Sequence, residues 1–332
     1  MIYTLFSFVF FFGKIVFPGG PATQPQQPLT GPGGTTYNHQ SVIFRDFAAK
    51  ADGYWLFEPA DPKPDSAHVV VFLHGYGGYN PMIYGKWIRH LVQQGNIVIY
   101  PRYQENLLSP GPNKFAENTA TAIRDALVEL RKDGHVKPVT SHVAMVGHSY
   151  GGVIAAGLAI QFEQFEIPQP KVLMLCSPGT GKLNGGRLES YAEMPANISL
   201  LITVSEDDWV VGDEFALKVF NEATGVQQRN LLRQFADAHG EPPIEAHHNQ
   251  PYSLDTAFDS GVRNYSAKKA LRISTIDAVD YYGYWKLFDA MLACNRQGEL
   301  CNYAFGGTPE QTSLGLWSDS VPVKPLEATL PQ

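Results

Sequence analysis

From about residue 37 the chain alternates between short apolar runs and amphipathic stretches. Residues 41–48 and 54–58 read as two early strands joined by a turn at Asp52-Gly53. Val69-Val70-Val71-Phe72-Leu73 is a continuous apolar run, the pattern of a strand covered on both faces. Ile97-Val98-Ile99-Tyr100, Val143-Ala144-Met145-Val146 and the runs at 172–176, 198–204 and 231–235 extend the series. Between them, Ala116, Ala120, Ile123, Leu127 and Leu130 recur at steps of four and three, which places them on one helix face. Arg131, Lys132 and Gly134 mark that helix's end, and a second helix should run from about Tyr84 to Gln94 and stop at Gly95. Strands alternating with helices predict an α/β fold with a mostly parallel sheet covered on both faces. Ligands of such sheets bind beyond the carboxyl ends of the strands, so chemistry is sought just after each apolar run.

Two such places carry strong motifs. Gly147-His148-Ser149-Tyr150-Gly151-Gly152 follows the strand at 143–146 and precedes a small-residue helix beginning Val153-Ile154-Ala155. This is G-x-S-x-G between strand and helix, a nucleophile elbow. Its turn is too sharp to admit a Cβ beside the serine, and the helix N-terminus supplies unpaired amides there. His74-Gly75-Tyr76-Gly77-Gly78 directly follows the strand at 69–73. Acyl transfer needs amide donors aimed at a developing oxyanion. Tyr150, after the nucleophile, and Tyr76, in the glycine loop, are the expected donors.

With these two motifs, residues 41–290 resemble the α/β-hydrolase superfamily, in particular its cap-less esterases of the dienelactone-hydrolase, cutinase and chlorophyllase-like branch. The resemblance implies an α/β-hydrolase fold and a Ser…Asp/Glu…His triad in that chain order. The acid should follow the strand at 198–204, where Glu206, Asp207 and Asp208 are adjacent. Asp208-Trp209-Val210-Val211-Gly212 fits the hydrolase frame best, so Asp208 is the expected acid, with Asp207 and Glu206 as alternatives. The base should follow the strand at 231–235. His248, in Glu245-Ala246-His247-His248-Asn249-Gln250-Pro251, is preferred over His247 and His239. His74 and His148 are expected to support their motifs. About twenty residues join the strands at 172–176 and 198–204, too few for a large cap domain, so a fairly open site is expected. Tyr79 and Trp209, with Tyr76 and Tyr150, stand on the expected site loops and are candidates to line a substrate pocket.

The rest of the chain sets the context. Residues 1–17 are mostly apolar but contain no basic n-region and no Ala-x-Ala cleavage site. They are read as an export signal or membrane anchor, the alternative being a buried strand or helix. Residues 18–36 form a Pro/Gly-rich linker, expected to be an extended and flexible spacer. Residues 37–332 are the catalytic domain, in which 277–292 read as one aromatic-rich amphipathic helix and 294–332 as a loop-rich extension. Within that extension Thr308-Pro309 opens a short helix. Lys and Arg total 25 against 32 Asp and Glu, a net charge of −7, and charged residues make up 17% of the 332. That is too little charge for a disordered acidic chain or a coiled coil, and no global basic surface exists for nucleic acid. Cys176 lies in an apolar run, whereas Cys294 and Cys301 are seven apart in a polar stretch without a Cys-x-x-Cys motif, which favours a local disulfide over zinc.

The expectation is a serine carboxylic-ester hydrolase that is secreted, periplasmic or membrane-anchored. It needs no cofactor and no metal, and its partner is a small-molecule or polymeric ester. The same triad would also serve a peptidase, thioesterase or acyltransferase. A non-catalytic hydrolase-fold binding protein is the remote alternative.

Overall fold

The computed structural model describes residues 20–108, 111–183 and 185–331. The expected anchor, residues 1–17, lies outside them. The strands are β1 (Ser41–Asp46), β2 (Tyr54–Ala60), β3 (Ser66–Leu73), β4 (Asn96–Pro101), β5 (Lys137–His148), β6 (Pro170–Cys176), β7 (Ser199–Ser205), β8 (Arg229–Gln234) and β9 (Glu327–Thr329). Among the described residues they form one sheet in the order β1-β2-β4-β3-β5-β6-β7-β8-β9. The neighbours from β4 through β8 pair in parallel, and antiparallel partners close both ends.

The expected apolar runs form the buried middle of this sheet. Val69 to Leu73 are almost completely buried, as are Ile97 to Tyr100 and Leu173 to Cys176. Both faces are covered, which is why these strands carry continuous rather than alternating apolar residues. One core holds Phe72, Val98 and Met174 beneath α1 (Gly85–Gln93). The other holds Val71, Ile99 and Leu173 beneath α2 (Phe115–Glu129) and α3 (Tyr150–Ile160). Helix α2 buries Ala120, Ile123 and Leu127, the face that its spacing predicts. Helix α3 is buried on every side at positions 150–159, consistent with its small, uniformly apolar residues. Helix α4 (Glu214–Glu222) follows β7. Among the described residues, the connection from β6 to β7 contains only turns and bends, so no large cap is inserted there.

Three segments differ from expectation. A helix α5 (Tyr265–Ile273), capped by the Asn264 side chain on the Ala267 amide, stands where the sequence reading placed no element. The expected single helix over 277–292 is a π-helical stretch, Val279–Trp285, that continues into α6 (Lys286–Gln297). The C-terminal extension is more ordered than a loop. It contains the short helices α7 (Cys301–Ala304) and α8 (Pro309–Thr312), buries Leu314, Trp317 and Val323, and adds β9 to the edge of β8. Cys294 and Cys301 form a disulfide between α6 and α7, and Cys176 is free and buried.

The linker also differs. Its described part does not behave as a free spacer but is laid along late-sequence elements. The Gly33 amide donates to Asp289 at 2.8 Å, Gln24 donates to the carbonyls of Pro242 and Pro243, and Tyr282 donates to the Gln26 carbonyl. An extended Pro-rich backbone buries little apolar area, but its polar groups can be satisfied by the domain's own side chains and carbonyls.

Candidate active site

Strand β5 delivers Gly147 and His148 to the carboxyl edge of the sheet, and α3 begins one residue after Ser149. Ser149 itself has φ 55° and ψ −121°, a left-handed φ that is costly for a residue with a side chain. The flanking glycines make this turn possible. A Cβ on Gly147 would sit 2.4 Å from the Gly151 carbonyl oxygen, and one on Gly151 would sit 2.2 Å from that of Leu73. The turn therefore packs backbone on backbone and lifts the Ser149 hydroxyl above the strand end.

Two further loops converge on this hydroxyl. His248 Nε2 lies 2.9 Å from Ser149 Oγ, and His248 Nδ1 lies 2.7 Å from Asp208 Oδ2. The other carboxylate oxygen, Oδ1, accepts the amides of Val210 and Val211, each at 3.0 Å. Burial works against the charge on Asp208, yet the hydrogen bonds from His248 and these amides hold its pKa below the ordinary carboxylate value. The acid and histidine loops are themselves joined, since the Asp207 amide donates to the Ala246 carbonyl at 3.0 Å. All three side chains are nearly closed to solvent, with Ser149, Asp208 and His248 at 7%, 7% and 6% exposure. The site is thus less open than the missing cap suggested, because neighbouring loops wall it in.

The alternative residues lie apart from this line. Glu206 accepts the Ala236 amide, His247 pairs with Glu245 at 3.2 Å, and His239 pairs with Asp319 at 2.8 Å beside the Trp317 ring.

The glycine loop closes over Ser149. A Cβ on Gly75 would lie 3.2 Å from Ser149 Cβ. Most of the loop's backbone groups are fastened by side chains. The Gly77 amide donates to Gln104 Oε1 at 2.8 Å, Asn264 donates to the Gly77 carbonyl at 2.7 Å, and Ser266 donates to the Tyr76 carbonyl at 3.0 Å. The Tyr76 and Tyr150 amides, in contrast, have no acceptor among the described residues. Gln104, Asn264 and Ser266 were not found by sequence reasoning. They lie 27 to 190 residues from their partners and belong to no motif.

The aromatic candidates divide. Tyr76 and Tyr150 stand with ring centroids 6.5 Å apart, and their hydroxyls donate to the carbonyls of Leu107 and Gly185. Tyr79 is buried beneath the loop, its ring beside His74 and under the Arg102 guanidinium, so it supports the loop instead of facing a substrate. Trp209, next to Asp208, is 88% exposed.

Residues 57–189 match the chlorophyllase family, a span that contains both the glycine loop and the elbow. The chain has an α/β-hydrolase fold. The likeness supports a hydrolase of the ester-cleaving kind. It covers neither Asp208 nor His248, whose placement comes from the structure alone. No curated protein sequence matches the chain.

Proposed function

We propose that this α/β-hydrolase cleaves carboxylic esters with Ser149 as nucleophile. The observation that carries the proposal is the unbroken line from Ser149 Oγ through His248 to Asp208, set beside two amides with no acceptor among the described residues. Asp208 accepts a hydrogen bond from the His248 Nδ1–H, which fixes that tautomer, so Nε2 presents its lone pair to the serine hydroxyl. His248 takes the hydroxyl proton as Ser149 Oγ bonds to the ester carbonyl carbon. The resulting oxyanion is held by the amides of Tyr76 and Tyr150. The tetrahedral species collapses with cleavage of the carbon–alkoxide bond, and His248 returns the proton to the leaving alcohol. Water, deprotonated by His248, then attacks the acyl-enzyme, and collapse of that tetrahedral species releases the acid while His248 returns the proton to Ser149 Oγ.

Hydrolysis of p-nitrophenyl esters of graded acyl length, with Ser149→Ala as control, tests class and acyl size together. Turnover should vanish in the variant, as should labelling by a fluorophosphonate. Labelling that persists in Ser149→Ala would overturn the nucleophile assignment. The chlorophyllase likeness favours esters over amides and thioesters, and matched substrates of the three kinds check the order. The Cys294–Cys301 disulfide supports an oxidising, exported setting, with residues 1–17 as signal or anchor. Deleting those residues should abolish export or membrane retention.

A further inference from the structure

Tyr84 ends the 3-10 turn Pro81–Tyr84 and is completely buried. Its hydroxyl meets two loops of the site. The Gly75 amide donates to it at 3.0 Å, and His148 Nδ1 lies 2.7 Å away. The other nitrogen of His148, Nε2, is 2.8 Å from the main-chain carbonyl oxygen of His248.

These contacts have only one consistent assignment of protons. A carbonyl can only accept, so His148 Nε2 carries a hydrogen. Burial, reinforced by His248 nearby, holds the His148 imidazole well below its ordinary pKa. It is therefore neutral, and Nδ1 is a bare acceptor. Tyr84 must donate to Nδ1, which leaves its own lone pair for the Gly75 amide. The bonds run in one direction, from the Gly75 N–H to Tyr84, from Tyr84 to His148, and from His148 to the carbonyl of His248. Each donor has one acceptor, and both ring nitrogens of His148 are committed.

The two ends of this chain adjoin the reacting groups. Gly75 precedes Tyr76, whose amide has no acceptor among the described residues, and the far carbonyl belongs to His248 itself. His148 in the middle precedes Ser149. The backbone reinforces the link, because the Ser253 and Asp255 amides donate to the Ile83 and Met82 carbonyls at 2.8 and 2.9 Å. Tyr84 thus rides on a segment zipped to the chain that follows His248. A side chain at Gly75 would intrude on the arrangement, since its Cβ would lie 3.0 Å from His148 Nδ1.

We infer that Tyr84 and His148 are positioning residues that set the Tyr76 amide and the His248 imidazole at a fixed separation across Ser149. The inference rests on the reading of Ser149 and His248 as nucleophile and base. It also gives the second histidine beside the nucleophile a definite task, as a strut that cannot compete as base. The oxyanion and the imidazolium exist only along the reaction, so loosening the strut should lower kcat and leave KM nearly unchanged.

The test compares Tyr84→Phe, His148→Leu and His148→Gln with wild type on a p-nitrophenyl ester, with near-UV circular dichroism and Tm as fold controls. Tyr84→Phe and His148→Leu should lose about 10- to 100-fold in kcat, with KM held within about twofold. His148→Gln restores a donor near the His248 carbonyl, and should recover at least about fivefold over His148→Leu. Affinity for a boronic acid that mimics the tetrahedral species should fall in step with kcat/KM. Wild-type kcat in folded Tyr84→Phe and His148→Leu would overturn the inference, as would His148→Gln no better than His148→Leu. If Tyr84→Phe does not fold, the two His148 variants decide, because a kcat loss in folded His148→Leu at constant KM that His148→Gln recovers supports the strut, and wild-type kcat in His148→Leu refutes it. Failure of the underlying reading shows elsewhere, as full turnover by Ser149→Ala in the otherwise wild-type protein.

Discussion

Replacing Asp208 with asparagine changes one atom and should nearly silence the enzyme. The reason lies in how the carboxylate is held. Oδ1 accepts two amides, from Val210 and Val211, at 3.0 Å each, while Oδ2 faces His248 Nδ1 at 2.7 Å. An asparagine must keep its oxygen on the two amides, because turning its NH2 toward them would set donor against donor. The NH2 then points at His248 Nδ1 and needs a lone pair there. The imidazole complies by moving its proton to Nε2. That nitrogen faces Ser149 Oγ at 2.9 Å, and now donates where it had to accept. The proposed base is lost without any change of shape.

The expected fall in kcat/KM is on the order of 10⁴, or about 5 kcal/mol of lost transition-state stabilisation. Asp208→Ala removes more atoms but leaves the imidazole free to choose its tautomer, so it should be no less active than Asp208→Asn. Initial rates on a p-nitrophenyl ester, with Tm to show both variants folded, measure this order. The reasoning fails if Asp208→Asn keeps more than a tenth of wild-type kcat/KM. It also fails if folded Asp208→Ala is far less active than Asp208→Asn.

Two further outcomes are expected. Gly151→Ala would set a Cβ 2.2 Å from the Leu73 carbonyl oxygen and 2.5 Å from that of His74. The elbow must separate from β3, at a cost of about 1–3 kcal/mol or more. A melt should show Tm falling by roughly 3–10 °C together with loss of fluorophosphonate labelling, and an unchanged Tm would refute the packing argument. Asp280 is buried, with Oδ2 accepting the Asp277 amide at 2.9 Å and Oδ1 without a hydrogen-bond partner among the described residues. Burial, and then the charge of Asp277, push its pKa well above the ordinary value. The folded protein therefore holds a proton that the unfolded chain releases above about pH 4, so this group makes stability fall as pH rises toward its folded pKa. Asp280→Asn removes that dependence. Its Tm relative to wild type should rise by at least about 3 °C between pH 4 and pH 8, and a constant difference would refute the assignment.

How much of this could be read from the sequence depends on the range of the interactions involved. Strands β3 to β6 are visible because each is covered on both faces, and burial over four or five consecutive residues leaves an unbroken apolar run, which Thr203 interrupts in β7 and Arg233 in β8. The elbow is visible because its motif is contiguous, even though only the Gly147 half of its constraint is local. Gly147 and Gly151 are excluded from any other identity by backbone atoms within four residues or by the adjacent strand end. The choice of Asp208 among three acids was also local in origin. The residues two and three positions later supply the amides that hold its carboxylate, so the frame Asp208-Trp209-Val210-Val211 encodes the geometry directly. His247 and His248 carry no such difference. One faces Glu245 and the other Asp208, and what separates them is the bridge between residues 207 and 247, which joins loops 40 positions apart. The same limit hid β9. Glu327–Thr329 has no apolar run of its own and becomes a strand only because the edge of β8 offers it partners nearly a hundred residues earlier. It also hid the docking of the linker. A polar, Pro-rich backbone looks unattached until Asp289, Tyr282 and the carbonyls of Pro242 and Pro243 are brought beside it. The strut of Tyr84 and His148 belongs to this second class. His148 could be seen inside the motif, but its task could not, because that task is defined by a hydroxyl 64 residues before it and a carbonyl 100 residues after it.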